Sequence, residues 1–275
     1  MIFNTFPYEC EMAIHVFYDR IEEEVLMDTN YGQFISKKFI NTLFAITFAF
    51  LVVQYINEFT VGNNIIRIIT TVLFLIALLI TLYFHFVNRA FDYRKGHILK
   101  PLQKDMMKRL NFNGKGTVLD AGCHLGAYTI ALSKTYKHAM ITGVDHDTKL
   151  NCEINAKAEK VKKRTAFVEG SLSALGFKDN SFDAVTSCLA FSKAKVNTQG
   201  ITAALRVLKK GGTFCFVDDF DNPKHYNIEA LIADLKKQGY RQVEYIAHLE
   251  DEDYVPKYVR TPFVYRHIGM LYGKK

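Results

Sequence analysis

Proline and cysteine are scarce in this 275-residue chain, with 5 of each, and glycine amounts to 16 residues. Such scarcity, beside 49% hydrophobic and 23% charged residues, excludes collagen-like, coiled-coil and low-complexity disordered chains. The cysteines, Cys10, Cys123, Cys152, Cys188 and Cys215, are odd in number, widely spread and without a CxxC pair. That pattern argues against a zinc ribbon or a disulfide scaffold, implies no metal site, and favours a reducing compartment. The length fits one domain with appendages or two small domains.

Charge is missing from one region. The chain has 35 Lys and Arg and 28 Asp and Glu residues, yet only Glu58 and Arg67 fall between residues 39 and 88. Phe39–Asn57 and Ile68–Asn88 are uncharged windows. At about 1.5 Å per helical residue, either covers roughly the 30 Å of a bilayer's hydrocarbon core. The second is apolar on every face, whereas the first carries Asn41, Thr42, Thr47 and Gln54. The pattern predicts a transmembrane hairpin over 39–88, turned at Gly62-Asn63-Asn64; the alternative is a buried helical hairpin inside a larger core. A secretory signal peptide fits badly, because the first 38 residues are acidic and the apolar stretch starts late.

Basic residues flank the hairpin: Lys37 and Lys38 before it, and Arg89, Arg94, Lys95, Lys100, Lys104, Lys108 and Arg109 after it. The positive-inside rule then places both termini in the cytoplasm and the loop outside. The net charge of +7 needs no nucleic-acid partner, since part of it stands where anionic headgroups attract it. Glu11–Leu26 reads as a short amphipathic helix with an acidic face, packed on the following domain or on the membrane, with His15 an interfacial side chain. The hairpin and this helix are also the places where a membrane-protein partner would dock. The mean hydropathy of -0.00 thus averages two unlike parts.

From about Lys108 short apolar runs alternate with helical stretches. Strands are expected at Gly116–Asp120, Ala139–Val144, Thr165–Glu169, Phe182–Ser187 and Thr213–Val217, with two late ones near Gln242–Ala247 and Val264–Tyr272. Helices are expected after the turn AGCHLG, at Lys149–Lys163, Thr198–Leu208 and Ile228–Gln238. This alternation implies a doubly wound α/β sheet with ligands at the carboxyl ends of its strands.

Four segments carry chemistry. VLDAGCHLGAYTIALS (Val118–Ser133) places Gly122 and Gly126 where the backbone must turn sharply and approach a ligand, just before a helix start with unpaired N–H groups. The G-x-G-x-x-G spacing of dinucleotide sites is absent. Asp145 ends the second strand in ITGVDHD, and a carboxylate there suits two ribose hydroxyls. VEGSLSALGFKDNSFDAVTS (Val168–Ser187) and ALRVLKKGGTFCFVDDF (Ala204–Phe220) follow in order. Together they resemble the class I S-adenosylmethionine-dependent methyltransferases, most nearly the UbiE/type 11 small-molecule group, over roughly Gly114–Lys275. The matches are D-x-G-x-G-x-G in the first segment, Phe177, Asp179, Ser181, Phe182 and Asp183 in the third, and R-V-L-K-x-G-G in the fourth, with Lys210 where proline is usual.

The resemblance implies a Rossmann-like seven-stranded sheet of order 3-2-1-4-5-7-6 with an antiparallel last strand, and S-adenosylmethionine as cofactor. It implies cofactor contacts from Asp120, Ala121, Gly122, Cys123, Gly126, Asp145, His146, Ser171, Leu172 and Cys188. Asp183 would cap and fix its turn, and Phe182 would be core. The domains expected are an acidic segment 1–38, the hairpin 39–88 (spans 39–57 and 68–88), a basic juxtamembrane stretch 89–113 and a methyltransferase domain 114–275.

Three positions depart from the family pattern. His124 replaces the middle loop glycine, Ser171 stands where aspartate commonly meets the adenine amino group, and Ala203 stands where glutamate is frequent. An amine or thiolate acceptor needs no general base, whereas a hydroxyl does. Asp218, Asp219, His225 and His124 are the open candidates, and none is singled out. The expectation is a membrane-anchored methyltransferase acting on a small, hydrophobic or lipid-like acceptor. The alternatives are a non-catalytic scaffold or assembly subunit of a membrane complex, and a protein methyltransferase. A nucleic-acid substrate is disfavoured, because SCLAFS stands where an N-P-P-Y-like motif would follow the fourth strand.

Overall fold

The structure, a computed structural model, describes residues 29–60, 62–146 and 148–275. The helix expected over Glu11–Leu26 lies outside the described residues. Two long helices come first, α1 (Lys37–Thr60) and α2 (Asn64–Phe91), packed along each other as a hairpin. Asn63 caps α2 by accepting from the N–H of Ile65 and Ile66, at 2.8 and 3.2 Å, and its carbonyl accepts from Asn57 Nδ2 at 3.1 Å. Two of the four polar residues of the first window turn into the seam, where the Thr47 and Thr81 hydroxyls are 3.1 Å apart and Gln54 Nε2 donates to Thr71 Oγ1 at 3.1 Å, while Asn41 and Thr42 are exposed. Phe44, Phe48, Leu75 and Leu79 point outward and are exposed. Both helices are long and apolar enough to cross a bilayer.

Helix α3 (Leu99–Leu110) leads into the sheet. Its strands are β1 (Lys115–Ala121), β2 (His138–Asp145), β3 (Thr165–Glu169), β4 (Phe182–Cys188), β5 (Leu208–Asp218), β6 (Arg241–Ile246) and β7 (Gly269–Lys274). They lie in the order β3-β2-β1-β4-β5-β7-β6. The first five run parallel, and β7 pairs antiparallel with both β5 and β6. Helices α4 (Ala127–Thr135), α5 (Lys149–Ala158), α6 (Asn197–Val207) and α7 (Ile228–Lys237) complete the windings.

Alternation along each strand feeds two cores. Val118 of β1 joins Leu102, Met106, Ile141, Val217 and Met270 on one side, and Leu119 joins Val144, Val185, Phe214 and Phe216 on the other. Val87, Ala90 and Phe91 at the end of α2 belong to the first core, so the base of the hairpin is rooted in the sheet domain.

The third and fourth sequence segments meet far from the ligand end of the sheet. Asp183 accepts from the Thr117 N–H and hydroxyl at 2.9 and 3.0 Å and from Lys209 Nζ at 2.8 Å, which fixes the turn as expected. Arg206 donates to the carbonyls of Phe177 and Leu175, at 2.9 and 2.6 Å, and pairs with Asp179.

Three boundaries differ from the sequence expectation. The helix after β2 stops at Ala158 rather than Lys163, because Lys160 turns left-handed (φ 58°) and a short 3₁₀ turn follows at Lys162–Arg164. Strand β5 starts at Leu208 rather than Thr213; Lys275 exchanges backbone bonds with Gly211 and Gly212, at 2.7 and 2.9 Å, and draws this stretch toward the sheet. Strand β7 starts at Gly269 rather than Val264, since the Glu250 carboxylate takes the N–H groups of His267 and Ile268 at 2.9 and 3.0 Å. Tyr265 leaves the ladder and is buried against Phe91, ring centroids 5.4 Å apart.

Candidate cofactor and acceptor site

A cavity of about 810 Å³ opens at the carboxyl ends of β1 to β4, within the roughly 300–1,000 Å³ of ligand pockets and at the place where such sheets bind ligands. Its floor is the loop between β1 and α4. Gly122 has φ 83°, and a Cβ there would stand 2.1 Å from the Ala190 side chain; no other residue fits that position. The N–H groups of Gly122 and Cys123 both reach the Val144 carbonyl, at 2.8 and 3.0 Å, which ties the loop to β2. Gly126 (φ 82°) starts α4 without a side-chain cap, and Ala127 and Tyr128 in the first turn border the cavity. An uncapped helix start of this kind offers N–H groups to a carboxylate.

His124 occupies the middle position of the loop in the left-handed conformation, φ 49°, that glycine would take freely. Its N–H donates to Asp145 Oδ2 at 2.6 Å. Its imidazole reaches toward Gly32, with Cε1 3.7 Å from the place of a Cβ there. Burial holds the imidazolium below the usual histidine range, the Asp145 charge opposing.

Two acids end the first two strands. Asp120 is 1% exposed; Thr129 donates to its Oδ2 at 2.6 Å, while its Oδ1 is buried without a hydrogen-bond partner. Burial, with the Asp145 charge adding to it, pushes this carboxyl up to about 7. A buried carboxylate oxygen bordering a cavity and lacking a donor fits a ligand ammonium. Asp145 accepts one backbone N–H on each oxygen, from His146 at 2.7 Å and from His124, and each oxygen keeps a lone pair for a ligand hydroxyl.

Asp120, Gly122, Cys123, Asp145, His146, Ser171, Leu172 and Cys188 all border the cavity. Ser171 bonds the Ser173 hydroxyl at 2.8 Å, and burial pushes the Cys188 thiol up to about 12. Two of the expected cofactor residues stand behind the wall instead. Ala121 is buried, its carbonyl held by the Ser187 hydroxyl at 2.7 Å, and Gly126 packs toward Phe167 and Cys152. Ala203 is core, on the buried face of α6.

Asp218, Asp219 and His225 do not border the cavity. Asp218 is fully buried and accepts the N–H groups of Phe191, Ser192 and Asp219, at 2.9, 3.2 and 2.8 Å. Asp219 pairs with His225 beside Asn222. Of the four open base candidates, only His124 reaches the site.

The opposite wall escapes sequence reasoning. Residues 31–34 cross the cavity as a strap, held at each end by an asparagine amide that pairs both ways with its backbone. Asn155 accepts from the Asn30 N–H and donates to the Asn30 carbonyl, both at 2.9 Å. Asn88 does the same with Ile35 at 2.8 and 3.3 Å. Phe34 stacks on Phe91 at a centroid distance of 3.8 Å, and Tyr31 donates to Glu159 at 3.0 Å. Phe91, Tyr93, Leu99 and Gln103 extend this wall, and Gln103 Oε1 is buried without a partner. The one trace in the sequence is Asn88, a polar residue closing an apolar span.

Comparison with known proteins gives the same picture. Residues 119–216 match a family model described as a methyltransferase domain. The demethylmenaquinone methyltransferase of Staphylococcus haemolyticus (strain JCSC1435) is 32% identical over 114 residues, 41% of this chain and 47% of that one. The sterol 24-C-methyltransferase of Kluyveromyces lactis is 25% identical over 179 residues, 56% of this chain and 48% of that one. The chain thus spans about half the length of the curated relatives it matches. The crystal structure of geranyl diphosphate C-methyltransferase from Streptomyces coelicolor A3(2), in complex with Mg2+, geranyl diphosphate and S-adenosyl-L-homocysteine, shares the fold. Its TM-score is 0.53 at 13% identity, over 66% of this chain and 80% of that one. Residues 119–216 thus match a methyltransferase domain, and they lie within a seven-stranded sheet of the order expected from the resemblance to the class I S-adenosylmethionine-dependent methyltransferases.

Proposed function

We propose that the chain is a membrane-anchored S-adenosylmethionine-dependent methyltransferase acting on a small, hydrophobic or lipid-like acceptor. The observation that carries this reading is one shared cavity, bordered on one side by Asp120 and Asp145 and on the other by Phe34 and Phe91 at the root of the hairpin. In this reading Asp120 Oδ1 would take the cofactor's ammonium, Asp145 its ribose, and Ser171 and Leu172 its base. The bound cofactor would supply an electrophilic sulfonium methyl; the chain's own residues align the acceptor and exclude water. With α1 and α2 in a bilayer and their basic flanks on the cytoplasmic side, the cavity opens beside the membrane surface. Relatives named for menaquinone and sterol methylation support a hydrophobic acceptor. The division into 1–38, 39–88, 89–113 and 114–275 belongs to the same proposal.

Membranes carrying the full chain and methyl-labelled S-adenosylmethionine test it. Label in the organic-soluble fraction is the expected result. Label confined to protein would favour the protein-methyltransferase alternative, and no transfer at all the scaffold. Alkaline carbonate extraction should leave the chain in the membrane pellet; release into the soluble fraction would refute the anchor.

A further inference from the structure

The charged groups of the cavity are segregated by sign. Asp120, Asp145 and Glu169 stand at the carboxyl ends of β1, β2 and β3, the part that would hold the cofactor, and beyond β4 the sign reverses at Lys193. Lys193 is the only lysine or arginine among the described residues that border the cavity. Its neighbours on this part of the wall are apolar: Phe34, Phe91, Leu99 and Leu189. The cation is held in place from two sides. The turn 190–193 is clamped by Asp218, whose carboxylate takes the N–H groups of Phe191 and Ser192, at 2.9 and 3.2 Å, and the Ser192 hydroxyl. Nζ lies 4.4 Å from the centre of the Phe34 ring, and that ring is fixed by its stack on Phe91, centroids 3.8 Å apart. The ring face favours a cation, and the side chain keeps its contact with solvent, so the group is an ammonium. None of its three N–H donors makes a hydrogen bond or ion pair among the described residues. The acid facing it, Asp218, is already occupied by the donors just named and by the Asp219 N–H at 2.8 Å.

We propose that Lys193 is a specificity-determining residue, and that the acceptor is an apolar molecule carrying a carboxylate, which the Lys193 ammonium holds. The apolar body of the acceptor lies against Phe34, Phe91, Leu99 and Leu189. The chemistry of the wall selects this class. One point-charge donor without an arginine suits a singly charged carboxylate, whereas a phosphate is better met by several donors in a fork. An uncharged acceptor would leave the ammonium unused. A cationic acceptor would be repelled by Lys193 and by the sulfonium of the cofactor, while a carboxylate is attracted by both. The carboxylate is the handle that orients the acceptor, and no proton passes to or from Lys193. This inference rests on the methyltransferase reading above.

Calorimetry on the full chain in nanodiscs, saturated with S-adenosylhomocysteine and corrected against empty nanodiscs, tests it. The probes are naphthoate, naphthyl phosphate, naphthalenemethanol and naphthylmethylammonium, each substituted at the same ring carbon. Naphthoate should bind about 10-fold or more tighter than the alcohol and the ammonium, the gain expected of a charge-assisted hydrogen bond, and no weaker than the phosphate. Lys193→Met should bring naphthoate and the alcohol within about 3-fold of each other, while Lys193→Arg should keep the wild-type order and Lys193→Glu should turn the preference toward the ammonium. The Met and Arg variants should bind S-adenosylhomocysteine within about 2-fold of the wild type, since Lys193 stands apart from the acids that would hold it; that control separates a lost preference from a lost fold. Equal binding of naphthoate and the alcohol by the wild type, no binding of any probe, or a preference that survives Lys193→Met would overturn the proposal. Tighter binding of the phosphate than of naphthoate would overturn the carboxylate class. Failure of the wild-type chain to bind S-adenosylhomocysteine would instead overturn the methyltransferase reading, and the probe preference, read without cofactor, does not depend on it.

Discussion

The hairpin and the sheet domain solve the burial problem in opposite ways. In the sheet domain Val118, Leu119, Phe214 and Phe216 are fully buried, and the buried acid Asp218 is saturated with donors, whereas Asp120 at the cavity keeps one oxygen unpartnered. In the hairpin Thr47, Asn57, Thr70 and Thr81 are buried, with Ile40 and, at its root, Val87, Ala90 and Phe91, while Phe48, Tyr55, Ile65 and Leu79 are exposed. A helix pair stable in water would show the reverse. The difference is what the proposed membrane anchor requires, two regions built for different solvents, although Phe91 and Phe34 join them through one cavity.

The comparison breaks most readily in the sheet. Phe216→Ala empties a fully buried site and should cost about 3–5 kcal/mol, read as a loss of folded protein in denaturant titration. A charge on the outer face of the hairpin is the next largest effect. Leu79→Lys would be near neutral or solubilising if that face met water; in a bilayer it should cost about 2.5–3.5 kcal/mol of insertion and shift the chain out of the carbonate-resistant pellet.

Asp120 sharpens the contrast between stability and function. Burial holds its carboxyl at about 7, well above the usual carboxylate range. The folded chain therefore keeps a proton that the unfolded chain releases, and stability should fall as pH rises from about 4 to about 7. Asp120→Asn should flatten that slope and raise thermal stability at pH 8 by on the order of 1–3 kcal/mol, while weakening cofactor binding. Scanning calorimetry at pH 5 and pH 8 reads the first effect. A loss of stability at pH 8 would show that the carboxylate is a structural anion. The smallest effect belongs to the hairpin seam, where Thr81→Val removes the 3.1 Å bond to Thr47. About 0.6 kcal/mol is expected, visible as a small shift in the thermal unfolding of the reconstituted protein.

These regions also differ in how far the sequence discloses them. The strands, the loop from Asp120 to Gly126 and Asp145 follow from local patterns, a strand ending in an acid and a glycine-rich turn, while the order of the strands and the bracing role of Asp183 come with the family resemblance. The hairpin is legible from its missing charge. The far wall of the cavity is not, because it forms from pairs distant along the chain: Asn30 with Asn155, Ile35 with Asn88, and Phe34 with Phe91 and Lys193. No periodicity in residues 29–36 foretells those contacts. The acids after β5 mislead for a related reason: Asp218 looks like a strand-end acid open to a ligand, but the turn 190–193 folds over it and uses all of its capacity. His124 looks like an obstruction until its backbone is seen in the conformation of the glycine it replaces.

The most direct test of the central claim is calorimetric titration of S-adenosylmethionine into the full chain in detergent, in two buffers of different ionisation enthalpy. Asp120 carries a proton up to about pH 7 and would face the cofactor's ammonium. The account therefore predicts saturable binding near pH 6.5 with release of a fraction of a proton, and at least about a 10-fold loss of affinity in Asp145→Ala. No binding at near-millimolar cofactor would contradict it.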